Sequence, residues 1–333
     1  MKICTKCVLP ETFPGIRFND EGVCNQCLEH KTSANEPAKQ AEYRNKFAAL
    51  IEENRKKGAY DALMCYSGGK DSSYTLAVLK EKYSLNVLAV SIDNGFVPEQ
   101  TYKNISSVTE NLGVDHLFFK PRFDILTRIF RYCASNDVYP PKALERASSI
   151  CTSCMAIVKY STLRIALERD IPFVVYGWSP GQAPLTSSII KNNPAIVKMM
   201  QQSLHDPLYQ IAGDDINPYF LEDRHFTGKY YFPYYIHPLA FLGYDENTVY
   251  QSIFRLGWKP PAETDTNSTN CLLNSFANMV HKKRLGFHPY ALEMANLVRE
   301  GYLARDTALS RLVQLEDQKV VMEVKKKLAI GEV

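Results

Sequence analysis

The 333-residue sequence predicts an α/β fold with a parallel sheet of about five strands and flanking helices, and three observations carry that expectation. Short apolar runs alternate with helical periodicities from Asp61 onward. A glycine-rich turn joins the first apolar run to the first helical pattern. The composition, 45% hydrophobic and 23% charged, is that of a chain able to bury a sizeable core. In order, Asp61–Tyr66 reads as a buried strand, Asp71–Lys82 as a helix, Asn86–Ile92 as a strand, Glu99–Leu112 as a helix and His116–Lys120 as a third strand. A helical stretch from about Phe123 to Arg169 follows, then Ile171–Tyr176 as another central strand. Tyr234–Leu239 reads as one more strand and Asp245–Leu256 as a helix. The chain beyond Cys271 is helical, broken at Gly286–His288 and at Gly301. Between Gln182 and Phe232 the periodicity weakens, which predicts an insertion or lid over the loop edge of the sheet.

The ends of the chain differ in character. Residues 1–30 hold two Cys-x-x-Cys pairs, Cys4/Cys7 and Cys24/Cys27, separated by 16 residues, with Pro10, Pro14, Gly15 and Gly22 as turn formers. Such a segment builds no core alone, and four thiolates at this spacing are the pattern of a structural zinc site. Residues 31–58 read as a connecting helix with Phe47, Leu50 and Ile51 on one face. Residues 59–275 form the main domain and 276–333 a helical extension. Thirty-nine basic against 36 acidic residues leave a net charge of +3, which permits RNA without implying it. Met1-Lys2-Ile3-Cys4 opens no apolar leader, and no stretch is expected to reach the ~18 apolar residues of a membrane span. A cytoplasmic protein follows, and in that compartment nine cysteines speak for metal rather than disulfides.

Ser67-Gly68-Gly69-Lys70-Asp71-Ser72 leaves an apolar strand and opens a helix, where backbone N–H groups can hold phosphate. It is not a Walker A loop, because Met64 and Asp71 stand where that motif needs Gly and Ser or Thr. The G-x-G-x-x-G dinucleotide fingerprint is absent too. The stretch resembles the SGGxDS loop of the PP-loop ATP pyrophosphatases, the adenine nucleotide alpha hydrolases. That resemblance implies that Ser67, Gly68, Gly69, Lys70, Asp71 and Ser72 bind ATP while AMP is attached to a substrate oxygen, with Lys70 stabilising developing phosphate charge. It places Ser91 and Asp93 at the nucleotide, and Gly177 at the end of the fourth strand beside it. Family members follow that glycine with acidic residues for Mg²⁺, whereas here Trp178-Ser179-Pro180 follows, leaving Asp71 or Asp93 to hold the ion.

Cys151 and Cys154, at i and i+3 near a helix start, together with Cys271 in an Asn- and Ser-rich loop, offer three thiolates. Three ligands leave one iron of a [4Fe–4S] cluster open to an exogenous ligand such as sulfide. Catalytic disulfide or persulfide chemistry and plain structural burial are the competing readings. A CxxC with one distant Cys, Lys70 in the loop, and Pro238-Leu239 before the third Cys resemble the PP-loop enzymes that 2-thiolate tRNA. The ribbon, with Val8-Leu9-Pro10-Glu11-Thr12 and Gly22-Val23-Cys24-Asn25, instead resembles the N-acetyl sugar amidotransferases of surface-polysaccharide biosynthesis. The two resemblances imply different partners: tRNA with a sulfur donor, or a small sugar substrate with a glutaminase. A binding module that has lost its chemistry is the non-enzymatic alternative, and a homodimer is the common default.

Overall fold

The computed structural model describes residues 1–30, 37–55, 58–265 and 267–331. All five expected strands are present: β1 (Ala62–Cys65), β2 (Val87–Ile92), β3 (Asp115–Phe119), β4 (Phe173–Tyr176) and, ending three residues early, Tyr234–Ile236. A sixth, Ile189–Lys191, falls in the weakly periodic segment and is β5, which makes Tyr234–Ile236 β6. The sheet order is β3-β2-β1-β4-β6-β5, parallel except for the edge strand β5, which runs antiparallel to β6. The inner strands are short and, Ser91 at the end of β2 aside, apolar, as strands covered on both faces must be.

Alternate side chains feed two cores. Leu63, Leu88, Val90 and Val174 pack against the helices Phe123–Ser135, Ser149–Glu168, Leu273–Leu285 and Gln318–Lys327. Ala62, Met64, Ala89 and Val175 pack on the other face against Pro37–Asn54, Lys70–Glu81, Glu99–Leu112 and Glu246–Phe254. The connecting helix is thus Pro37–Asn54 with Phe47 and Ile51 buried; of the rest of the expected 31–58 span, Arg55 and Gly58 lie beyond the helix, and 31–36, Lys56 and Lys57 lie outside the described residues.

The segment 182–232 is more regular than its sequence pattern, and its first residue, Gln182, lines a cavity at the loop edge. It contains the 19-residue helix Pro194–Ala212, which packs on Phe123–Ser135 and Ser149–Glu168 at one face of the sheet. Pro207 within it blurs the helical signal. The membrane-span expectation also needs correction. Ser149–Glu168 is 20 residues long and apolar enough to cross a bilayer, yet 61% of that stretch is buried in the protein, so its apolarity is that of a central core helix.

A third, small core joins the two chain ends. Val8, Leu9, Phe13 and Val23 of the ribbon meet Phe287, Leu292, Leu297 and Ala308 of the C-terminal helices. Phe13 and Phe287 contact edge to face at 5.0 Å between centroids. The ribbon borrows its hydrophobic partners from the last fifth of the chain.

Candidate active site

In the sheet order, β2 and β3 lie on one side of β1 and β4 on the other, so the direction of winding reverses between β1 and β4. Ligands of open α/β sheets sit outside the carboxyl ends of the strands at such a switch point. A cavity of about 320 Å³ occupies this place, lined by Ser67 and Gly69–Ser72 after β1, Ser91 and Asn94 after β2, and Gly177 and Trp178 after β4.

The loop is held from several sides. Gly68 has φ +75°, and a Cβ there would come within 2.7 Å of Ile105, so only glycine fits. Trp258 donates its indole N–H to the Gly68 carbonyl at 2.9 Å. The helix Lys70–Glu81 starts after Gly69 with no side-chain cap, which leaves its first N–H groups directed at the loop. The Lys70 N–H is taken by the Thr269 hydroxyl at 3.1 Å, so the segment before Cys271 lies over the loop. Ser67 and Ser72 pair their hydroxyls at 3.0 Å. Gly177 has a separate necessity, since a Cβ there would lie 2.5 Å from the Ser72 Cα and 2.7 Å from its N.

Lys70 and Asp93 stand differently from their expected roles. The Lys70 ammonium donates to Asp71 at 2.9 Å and to the Tyr244 hydroxyl at 2.6 Å, and pairs with Glu246 at 3.3 Å. Burial opposes its charge, but Asp71, Tyr244 and Glu246 outweigh it and hold the pKa well above the ordinary lysine value. Contact with a phosphate requires Lys70 to exchange these partners. Lys70→Ala takes the cation from between Asp71, left with only the Tyr244 hydroxyl, and Glu246, left with Arg311, and a loss of about 3 kcal/mol in unfolding free energy is expected in a urea titration. An unchanged midpoint would show that the ion-pair network carries no stability. Asp93 does not line the cavity. Its carboxylate accepts the Gly95 N–H at 2.7 Å and pairs with Lys120 at 3.0 Å. Burial works against its ionised form, but Lys120 and the Gly95 N–H prevail and lower its pKa. Of the two acids expected near Mg²⁺, Asp71 alone faces the cavity.

The three cysteines converge. Cys151, Cys154 and Cys271 all line the cavity. Ser148 caps the helix Ser149–Glu168 through the Cys151 N–H, which fixes both cysteines in its first two turns. Asn94 donates its amide N–H to the Cys154 Sγ at 3.5 Å and to the Cys271 Sγ at 3.4 Å. Burial pushes the Cys151 thiol up to about 11 and Cys154 up to about 12, and it raises Cys271 too. Uncompensated, all three are neutral thiols near pH 7 and poor nucleophiles.

Asn94, Trp258, Thr269 and Glu293 had no motif to mark them. Asn94 sits two residues beyond β2, next to Asp93 at the strand end expected to meet the nucleotide, which is the one available signal. Glu293, from the C-terminal extension, accepts the Ser179 hydroxyl at 2.6 Å, and burial raises its carboxyl to about 7. It braces the turn after β4, where the acidic residues are missing.

Away from the cavity, the ribbon is a built metal site. The Sγ atoms of Cys4, Cys7, Cys24 and Cys27 all lie within 4.8 Å of one another, with Cys4–Cys27 at 3.9 Å and Cys7–Cys24 at 3.7 Å. Tetrahedral bonds of about 2.3 Å to one zinc separate the sulfurs by about 3.8 Å, so the four fit a single ion. Backbone N–H groups of Cys7 and Cys24 donate to the Cys4 Sγ at 3.4 and 3.2 Å. The Arg299 guanidinium donates to the Cys7 Sγ at 3.5 Å, and Arg305 to the Cys4 and Cys7 carbonyls at 2.8 and 2.9 Å. A hydrogen bond from Cys7 lowers the Cys27 thiol to about 5, and Arg299 adds to the effect.

Fold and site together define a glycine-loop α/β protein: the loop after β1, the end of β2 and the glycine after β4 meet at one cavity, as the resemblance to PP-loop ATP pyrophosphatases implies. No family model matches the chain. An uncharacterized protein of Methanocaldococcus jannaschii is 24% identical over 327 residues, 98% of this chain and 97% of that protein. Among solved structures, the U34-tRNA thiolase NcsA of Methanococcus maripaludis, determined with its [4Fe-4S] cluster, superposes with a TM-score of 0.37 and 19% identity, covering 100% of this chain and 99% of that one. The NMN synthetase of Francisella tularensis gives a TM-score of 0.40 and 13% identity, covering 88% and 98%. At these scores the likeness adds nothing to what the chain's own residues carry.

Proposed function

We propose that this chain is a PP-loop ATP pyrophosphatase that adenylates a substrate carbonyl oxygen and replaces that oxygen with sulfur. The observation that carries the reading is that Cys151, Cys154 and Cys271 line the same cavity as the glycine loop. The substrate oxygen attacks the α-phosphorus of ATP and pyrophosphate leaves; the nucleophile then adds to the activated carbon, and AMP departs with the oxygen. The loop N–H groups and the Ser67 and Ser72 hydroxyls hold phosphate oxygens at the helix N-terminus. Asp71 is the carboxylate in reach of Mg²⁺.

The thiol set fits an iron–sulfur cluster. Three half-buried cysteines with raised pKa need a cation to ionise, and the Asn94 amide stands ready to donate to two of the sulfurs. Cys151, Cys154 and Cys271 would hold the cluster, which when bound presents an iron open to an exogenous sulfur ligand. Their sulfurs are not among the described groups close enough for one ion, whereas the ribbon thiols are, so the ribbon takes zinc.

Anaerobic purification with zinc, iron and acid-labile sulfide quantified on wild type and Cys271→Ala tests this. The expected result is about four irons and four sulfides per chain in the wild type, lost in Cys271→Ala while zinc stays. Zinc alone in both proteins would overturn the cluster and leave ammonia-dependent amidotransfer as the surviving chemistry.

A further inference from the structure

Beside the cavity, on the other flank of the helix that carries Cys151 and Cys154, lies a group of polar side chains that neither the loop nor the thiols use. Lys159 follows Val158, which lines the cavity. Its ammonium stands 5.3 Å from the Tyr160 ring centroid and 5.6 Å from that of Tyr235. Among the described residues no carboxylate lies within ion-pair distance of it. Around it, the hydroxyls of Tyr160 and Tyr235 and the Nδ1 of His237 are buried with no hydrogen-bond partner. These three residues are 0%, 7% and 3% exposed. Above His237, the cavity-lining Trp178 stacks at 4.7 Å and 10° while remaining 40% exposed.

Buried hydroxyls and ring nitrogens are ordinarily satisfied, and a buried cation is ordinarily paired. One ligand chemistry answers all of these deficits at once. An anionic oxygen group neutralises the ammonium, accepts from both tyrosine hydroxyls, and accepts from His237 with its proton on Nδ1. Burial lowers Lys159 to about 8 and, with help from Lys159, His237 to about 4, so the cluster holds a cation that no carboxylate among the described residues offsets.

We propose that Lys159, Tyr160, Tyr235 and His237 form a subsite for the terminal phosphate of a small phosphorylated substrate, placing the rest of that substrate beneath Trp178 and toward the ATP cavity. The proposal rests on the reading of the cavity as the ATP site. A cluster of buried donors next to the cavity-lining Val158 and Trp178 suits a terminal phosphate, which enters end-on, better than the doubly esterified phosphates of an RNA backbone.

Competitive acylation of the full chain tests it without any turnover. The protein is treated with limiting acetic anhydride, and acetylation of Lys159 is followed by mass spectrometry with the C-terminal Lys325 as internal reference. Inorganic phosphate and uridine diphosphate should each slow Lys159 at least tenfold relative to Lys325. Tyr235→Phe, which keeps the ring and loses the hydroxyl, should weaken that protection severalfold. Absence of protection by either probe in the folded wild type overturns the subsite. Protection by a non-hydrolysable ATP analogue alone assigns Lys159 to the ATP site and overturns it as well, as does protection by a uridine heptanucleotide alone. Failure of AMP release or of cluster loading leaves this readout untouched, so the two readings fail separately.

Discussion

Gly177→Ala should weaken ATP binding by about a hundredfold while the protein remains folded. The new methyl group has to occupy a point 2.5 Å from the Ser72 Cα and 2.7 Å from its nitrogen, and both are backbone atoms that no rotamer change can clear. Either β4 or the start of the helix Lys70–Glu81 must retreat by roughly 1 Å, a displacement that costs about 10² where groups must be held in register. Equilibrium dialysis with labelled ATP measures the affinity, and a cooperative melt establishes the fold. A folded Gly177→Ala protein with the wild-type dissociation constant would remove ATP from the switch point between β1 and β4. The same variant separates catalysis from mere retention, because a binding module and an enzyme both lose ATP, but only an enzyme has AMP and pyrophosphate release to lose.

Stripping the ribbon metal should have the other large effect. Structural zinc in Cys₄-type sites contributes an apparent 10–16 kcal/mol of binding free energy, about the size of a whole domain's stability. Against that, residues 1–30 own few buried apolar side chains, Val8, Leu9, Phe13 and Val23 chief among them, and these share one cluster with the C-terminal helices. Treatment with a strong chelator, or Cys24→Ser, should release about one zinc and bring the amides of residues 1–30 to near-unprotected hydrogen exchange, while β1, β2 and β4 keep their protection. Undiminished protection in the ribbon after metal loss would mean that the docking contacts alone hold it. Because Phe287 and Leu292 lose their covering, apo protein should also self-associate, a secondary sign visible by light scattering.

Much of this was legible in the sequence, and for identifiable reasons. β1, β2 and β4 announce themselves because a strand covered on both faces has to be largely apolar. The loop is legible because phosphate binding at a helix start needs glycines at fixed offsets. The four ribbon cysteines are legible because their ligand spacing is local. What stayed hidden depends on contacts distant in sequence. Thr269 over the loop, Trp258 under it and Glu293 behind it come from 114 to 199 residues away from their partners, and no periodicity encodes such pairings. The helix Pro194–Ala212 was obscured by its internal Pro207 and by apolar residues on both faces, since Ile196, Met199 and Met200 are exposed while Val197 and Leu208 are buried. Asp93 misled for the opposite reason. Its position at a strand end is the one expected of a nucleotide ligand, but Lys120 at the end of the adjacent strand claims its carboxylate.

The two arginines on the ribbon set an order of events. Cys4 to Cys27 leave the ribosome well before Arg299 and Arg305, which grip Cys4 and Cys7 and are made almost three hundred residues later. The helix Ala291–Arg299 has Arg299 at the ribbon and Glu293 at the turn after β4. Six residues at about 1.5 Å per residue separate these anchor points by roughly 9 Å. The ribbon, made early, therefore reaches its finished state only after the helices that cover it. Contacts of such sequence separation slow folding, because the loop they close must be brought together before they reward it. A metal captured early by the nascent N-terminus would hold its knuckles ready until their clamp arrives. Completion of the ribbon and completion of the cavity at the switch point then fall at one moment, when a single short helix docks against both.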